Sequence, residues 1–118
     1  MLNLAYGAQL AQVRPANTNA NTVYTSNRSV EITKIILCET SGSSCTFRIF
    51  HDNDGTTYDQ TTALYYDVAL AANTTLIISA EVLGAGLSVY KNGAIGFRTS
   101  VANTPTITIY GVMEQSRS

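Results

Sequence analysis

Apolar and polar residues take turns along most of this chain, and that period of two constrains the fold more than any other feature. Cys45, Phe47 and Ile49 alternate with Thr46, Arg48 and Phe50. Leu64, Tyr66, Val68 and Leu70 alternate with Tyr65, Asp67 and Ala69, and Leu87 and Val89 with Ser88 and Tyr90. Ile95, Phe97, Thr99 and Val101 form another such set, and Ile107, Ile109 and Gly111 the last. Successive side chains of a strand point to opposite faces, so each set is expected in a core with its intervening residues toward solvent. Val30 to Glu39 begins the same way and then runs Ile35-Ile36-Leu37, which predicts burial on both faces or a bulge. Turn residues separate the runs: Thr40-Ser41-Gly42-Ser43, Asp52-Asn53-Asp54-Gly55, Ala71-Ala72-Asn73, Gly84-Ala85-Gly86, Lys91-Asn92-Gly93 and Asn103-Thr104-Pro105. No three-to-four spacing persists long enough for a substantial helix. About seven or eight short antiparallel strands in residues 22–118 predict an all-β domain, a β-sandwich or jelly roll.

Residues 1–21 lack this pattern. Asn17, Asn19 and Asn21 interleave with Thr18, Ala20 and Thr22 just after Arg14-Pro15. The segment reads as an extended N-terminal arm with a polar hinge. Its apolar residues Leu2, Leu4, Tyr6, Leu10 and Val13, with Arg14, are candidate contacts to a partner. An arm of that kind would be dispensable for the fold and needed for binding.

Composition removes several function classes. The chain is 45% hydrophobic and 13% charged, with a formal net charge of −1, so it lacks the low hydrophobicity and high charge of disordered chains. Only 7 Lys and Arg are spread over 118 residues, too few to displace counterions from a nucleic acid. The longest apolar runs, Ile35 to Cys38 and Val68 to Ala72, fall far short of the ~18 residues that span a bilayer. The first ten residues have no basic region and make a poor signal peptide.

Catalytic and metal signatures are equally sparse. A single histidine, His51, rules out a multi-histidine site within one chain. There is no Cys-x-x-Cys, His-Glu-x-x-His or Gly-x-Ser-x-Gly. Asp52, Asp54 and nearby Asp59 are the one acidic concentration. They read either as a cation loop or as a turn with solvated carboxylates, and an EF-hand register fails because Phe50 would fall at its first position. Cys38 and Cys45 lie at the ends of an expected hairpin, where bridged and reduced forms both stay open. The chain is read as a non-enzyme that needs no cofactor.

The seven Tyr suit sheet packing, a protein interface or a sugar platform, and Tyr65 and Tyr90 join the candidate contacts. Outward strand positions carry Thr and Ser, with 16 Thr, 10 Ser and 9 Asn in the chain. Monomers usually blunt sheet edges with charge, so a sandwich that omits this is expected to be covered by neighbours, most simply by copies of itself in a closed ring.

Three segments resemble small virion structural proteins of tailed bacteriophages: residues 30–51, 64–78 and 87–112. The shared elements are an apolar strand ending in Cys38, a small-residue turn, the Phe47-x-Ile49 strand, the Ala72-Asn73-Thr74 turn and the closing strands into Gly111-Val112. Gly7-Ala8-Gln9-Leu10 resembles the start of such proteins. Where they often carry Gly-Asp before the late strand, this chain has Gly86-Leu87. The resemblance implies a jelly-roll subunit, a homotrimer, that binds the major capsid protein or other virion proteins. It implies a decoration or cement protein on the outer capsid surface, made in the bacterial host cytoplasm. Two alternatives stay open: a tail, neck, baseplate or fibre-adaptor component, and a carbohydrate-binding module with a glycan partner.

Overall fold

The alternating runs form strands because β-branched and aromatic side chains suit a pleated, half-buried surface. Between them the chain turns where Gly and Asn accept a left-handed backbone: Gly42 at φ 83°, Gly55 at 71°, Asn73 at 55°, Asn92 at 73° and Asn103 at 67°. The computed structural model describes residues 5–79 and 86–114. They form β1 (Ala5–Val13), β2 (Asn21–Thr25), β3 (Val30–Cys38), β4 (Cys45–Asp52), β5 (Ala63–Leu70), β6 (Thr75–Ser79), β7 (Leu87–Val89), β8 (Ala94–Thr99) and β9 (Thr106–Glu114). Eight of these, β2 to β9, follow the first twenty residues, against an expectation of seven or eight. The ninth, β1, takes the segment set apart as an arm and lays it along β9, from Ala5 opposite Glu114 to Val13 opposite Ile107.

Two antiparallel sheets result. The first runs β1-β9-β3-β6, with the short β7 pairing beside the start of β3. The second runs β2-β8-β4-β5. Apart from β7, the chain lays β1, β3, β6 and β9 in one sheet and β2, β4, β5 and β8 in the other, the wrapping order of a jelly roll. Ile32, Ile35, Leu37, Ile107 and Ile109 of the first sheet meet Phe47, Ile49, Ile95 and Phe97 of the second in one buried core. The Phe47 and Phe97 rings stack with centroids 6.2 Å apart.

The structure corrects two details. Residues 39–44 do not close a hairpin: β3 and β4 belong to opposite sheets, and this connection crosses the sandwich. Cys38 and Cys45 are free thiols. The second correction lies in β5, whose four apolar positions do not share a face. Val68 and Leu70 turn inward, whereas Leu64 and Tyr66 are exposed and Tyr65 packs against Phe47. Asp67, at φ 52°, is the cause. Phe47 opposes Val68 and Ile49 opposes Tyr65, so three steps on β5 match two on β4. This bulge inverts the parity of everything before it. In β3 the Ile35-Ile36-Leu37 run is preceded by a bulge at Thr33, and Ile36 is half-buried on the outer face.

Candidate interaction surfaces

The β5 bulge builds the main charged feature on the outer face of the second sheet. It turns Tyr66 and Asp67 outward together, beside Arg48 of β4. Arg48 donates from Nε to Asp67 Oδ1 at 2.6 Å and from Nη2 to Asp67 Oδ2 at 3.1 Å. Its guanidinium carbon lies 3.9 Å from the centre of the Tyr66 ring. These bonds hold the Asp67 carboxyl below its ordinary range and raise the Arg48 pKa. Arg98 stands opposite Arg48 on β8, 3.8 Å from Asp67, and donates from Nε to the Thr18 carbonyl at 3.1 Å. The cluster largely satisfies itself. It caps the β5 edge with charge rather than offering an open pocket.

Beside it, residues 52–62 fold over the same sheet. Tyr58 packs on Phe50, with centroids 5.8 Å apart, and covers Gly96. Its hydroxyl lies 2.6 Å from Thr22 Oγ1. The acidic residues here serve the loop's own backbone. Asp52 accepts from the amides of Thr56 (2.9 Å) and Thr57 (2.6 Å), and Asp59 from the Thr61 amide at 2.8 Å. Hydrogen bonds lower both carboxyl pKa values, led by the Thr57 amide for Asp52 and the Thr61 hydroxyl for Asp59. Among the described residues, no group of three His, Cys, Asp or Glu is placed to hold a metal ion. His51 has a buried Nε2 without a hydrogen-bond partner among them, and burial lowers its pKa against the opposing charge of Asp52. Burial raises that of Cys45, so its thiol stays protonated and a poor nucleophile.

At the end of the sandwich, sequence reasoning missed Glu39. Its carboxylate is 1% exposed and accepts from the amides of Ser41 (2.9 Å), Gly42 (3.2 Å) and Asn73 (2.9 Å), the Ser41 hydroxyl, and Thr104 Oγ1 (2.8 Å). Three connections, those after β3, β5 and β8, therefore meet on one side chain. The bond from the Ser41 hydroxyl is the largest of the causes that lower its pKa to about 2. A lone Glu after an apolar run carries no signal for this, because its donors come from distant turns.

The candidate contact residues are not gathered in one place. Leu2 and Leu4 lie outside the described residues. The Tyr6 backbone pairs with Met113, and its side chain lies outside the description. Leu10 and Val13 pack against the chain's own core, and Arg14 is exposed. Tyr65 turns inward and Tyr66 outward, so the two do not form one aromatic platform. Tyr90, 65% exposed, lies at the turn after β7.

Among the described residues the lateral edge strands are β1, β2, β5, β6 and the three-residue β7, which continues the β6 edge along β3. Bulges interrupt β1 between Gln9 and Ala11, β2 between Thr22 and Tyr24, and β5 around Asp67. β6 pairs with β3 in unbroken register from Thr75 to Ser79.

No protein-family model matches the chain, and no curated protein matches it in sequence. Solved structures that share its fold include two from viruses. One is a chain from the structure of infectious bursal disease virus, Gx strain, with 16% identity over 95% of this chain and a TM-score of 0.50. This chain spans 32% of the length of that one. The other comes from the acidic stable capsid structure of Helicobacter pylori bacteriophage KHP30, with 15% identity and a TM-score of 0.51. There the match covers 98% of this chain and 97% of that chain. At such identities the likeness is one of fold.

Proposed function

We propose that this chain is a virion structural protein: a jelly-roll subunit that coats the outer surface of a bacteriophage capsid as a decoration or cement protein, assembled as a homotrimer. The observation that carries the reading is the end-to-end likeness to a chain of a phage capsid structure, with neither chain leaving a substantial remainder. Two features of the molecule support it. The conspicuous polar groups, Glu39, Asp52, Asp59 and the Arg48–Asp67 pair, are spent on holding loops and edges. Outside the Arg48–Asp67–Arg98 cluster and Glu31 and Lys34 of β3, the outer strand positions are uncharged over much of both sheets, which suits surfaces that neighbours cover. The work of such a protein is mechanical. Burying apolar area across subunit seams contributes roughly 25 cal/mol per Å², less the cost of ordering the partners. The major capsid protein is the proposed partner, after synthesis in the host cytoplasm.

Quantitative mass spectrometry of purified virions from the chain's source tests this, with the major capsid protein as the internal standard. Hundreds of copies per particle support a shell protein. A count in single or double digits moves the chain to the tail, neck, baseplate or fibre base. Absence from particles overturns the virion reading.

A further inference from the structure

We propose that the free edge of β6 is a self-docking edge, at which two copies of this chain pair antiparallel, β6 to β6, about a two-fold axis through Ile77. An exposed strand edge presents a row of unpaired amides and carbonyls, and folded proteins disarm such edges with charge, proline, bulges or cover. β6 has none of the first three. Its sequence, Thr75-Leu76-Ile77-Ile78-Ser79, is uncharged and lacks proline. Its register is unbroken, and among the described residues no strand pairs with its other side. β1, β2 and β5 each carry a bulge, and β7, which continues this same edge along β3, is only three residues long. Ile77 is 55% exposed at the centre of this edge, beside the half-buried Ile36 of β3.

The segment is also complementary to itself, which is the argument for a second copy as its occupant. Rotation about Ile77 sets Ile77 against the partner's Ile77, Leu76 against the partner's Ile78, and Thr75 against the partner's Ser79. Apolar meets apolar, polar meets polar, and no like charges oppose. The parity of the pleat is kept: Leu76 and Ile78 face the core side in both copies, and Ile77 faces outward in both. Two four-strand paths then join into one continuous sheet. The contact is isologous and closes at two copies, so it adds to a trimer seam made elsewhere instead of replacing it. The inference stands independently of the virion reading, because it concerns the purified chain alone.

Analytical ultracentrifugation of the wild-type chain and of Ile77→Lys over a wide concentration range tests it. The substitution sits at an exposed position and is expected to leave the circular dichroism spectrum unchanged, and the melting temperature unchanged at dilutions where the wild type has dissociated. The expected result is a wild-type mass that is an even multiple of the chain and halves in Ile77→Lys. Hydrogen exchange supplies a second readout. In the wild type, protection of the Thr75–Ser79 amides should rise with concentration, and in Ile77→Lys it should not. A wild-type monomer at every concentration overturns the proposal. So does an oligomer whose mass and β6 protection ignore the substitution, and that outcome leaves the virion reading untouched.

Discussion

Glu39 is the residue on which the loop end of the sandwich depends. A buried carboxylate is tolerated only when its charge is met by donors, and here the donors come from connections far apart in sequence. Because its folded pKa of about 2 lies below the ordinary 4.5, the stabilisation is fully present above that ordinary value and disappears as pH falls toward 2. Thermal melts of the wild type and Glu39→Gln across this window should show a gap that is widest near neutral pH and narrows on acidification. A gap independent of pH would mean the charge is not what the loops use. In the core, Phe47 packs against the rings of Tyr65 and Phe97 from the neighbouring strands of its own sheet and is 1% exposed. Phe47→Ala should cost about 3–5 kcal/mol in urea unfolding.

Two elements depend on single backbone positions. The β5 bulge needs a left-handed residue at 67, which Asp and Asn accept and a β-branched residue does not. Asp67→Asn loses the ion pair with Arg48 but keeps the bulge, whereas Asp67→Val loses both. The Val variant should melt well below the Asn variant, and equal melting temperatures would show that the bulge does not depend on this conformation. The strand β8 needs no side chain at 96, because a Cβ there would stand 2.6 Å from the Tyr58 ring. Gly96→Ala must push Tyr58 off Phe50, at a cost of about 1–3 kcal/mol. The expected sign of that displacement is faster proteolysis within residues 52–62. Neither position was legible beforehand. The alternation Leu64, Tyr66, Val68, Leu70 is unbroken on paper, and only pairing with β4 reveals the extra residue that divides it. Gly96 read as an ordinary outward position because the loop that covers it joins from elsewhere in the chain.

For the whole molecule, β1 connects the question of fold to that of assembly. It covers β9 along its length, and Leu10, Ala11 and Val13 lie against the core. Deleting residues 1–13 should therefore uncover β9, raise binding of a hydrophobic dye and reduce the cooperativity of thermal unfolding. An unchanged melt would make this segment a detachable strap, free to bind a neighbour at no cost to its own domain.

Local pattern is enough to set the class of this protein: all-β, with turns at Asn and Gly and a core drawn largely from the alternating residues. Each of those follows from local rules, since the pleat has a period of two and few residues accept a positive φ. Only the folded chain sets which strands pair, which face of β5 turns inward, how Glu39 gathers three loops, and that β6 is the longest unbroken lateral edge among the described residues. These are relations between residues distant along the chain. Hydrogen-bond pairing and burial exist only once both partners are in place, so no run of local sequence encodes them.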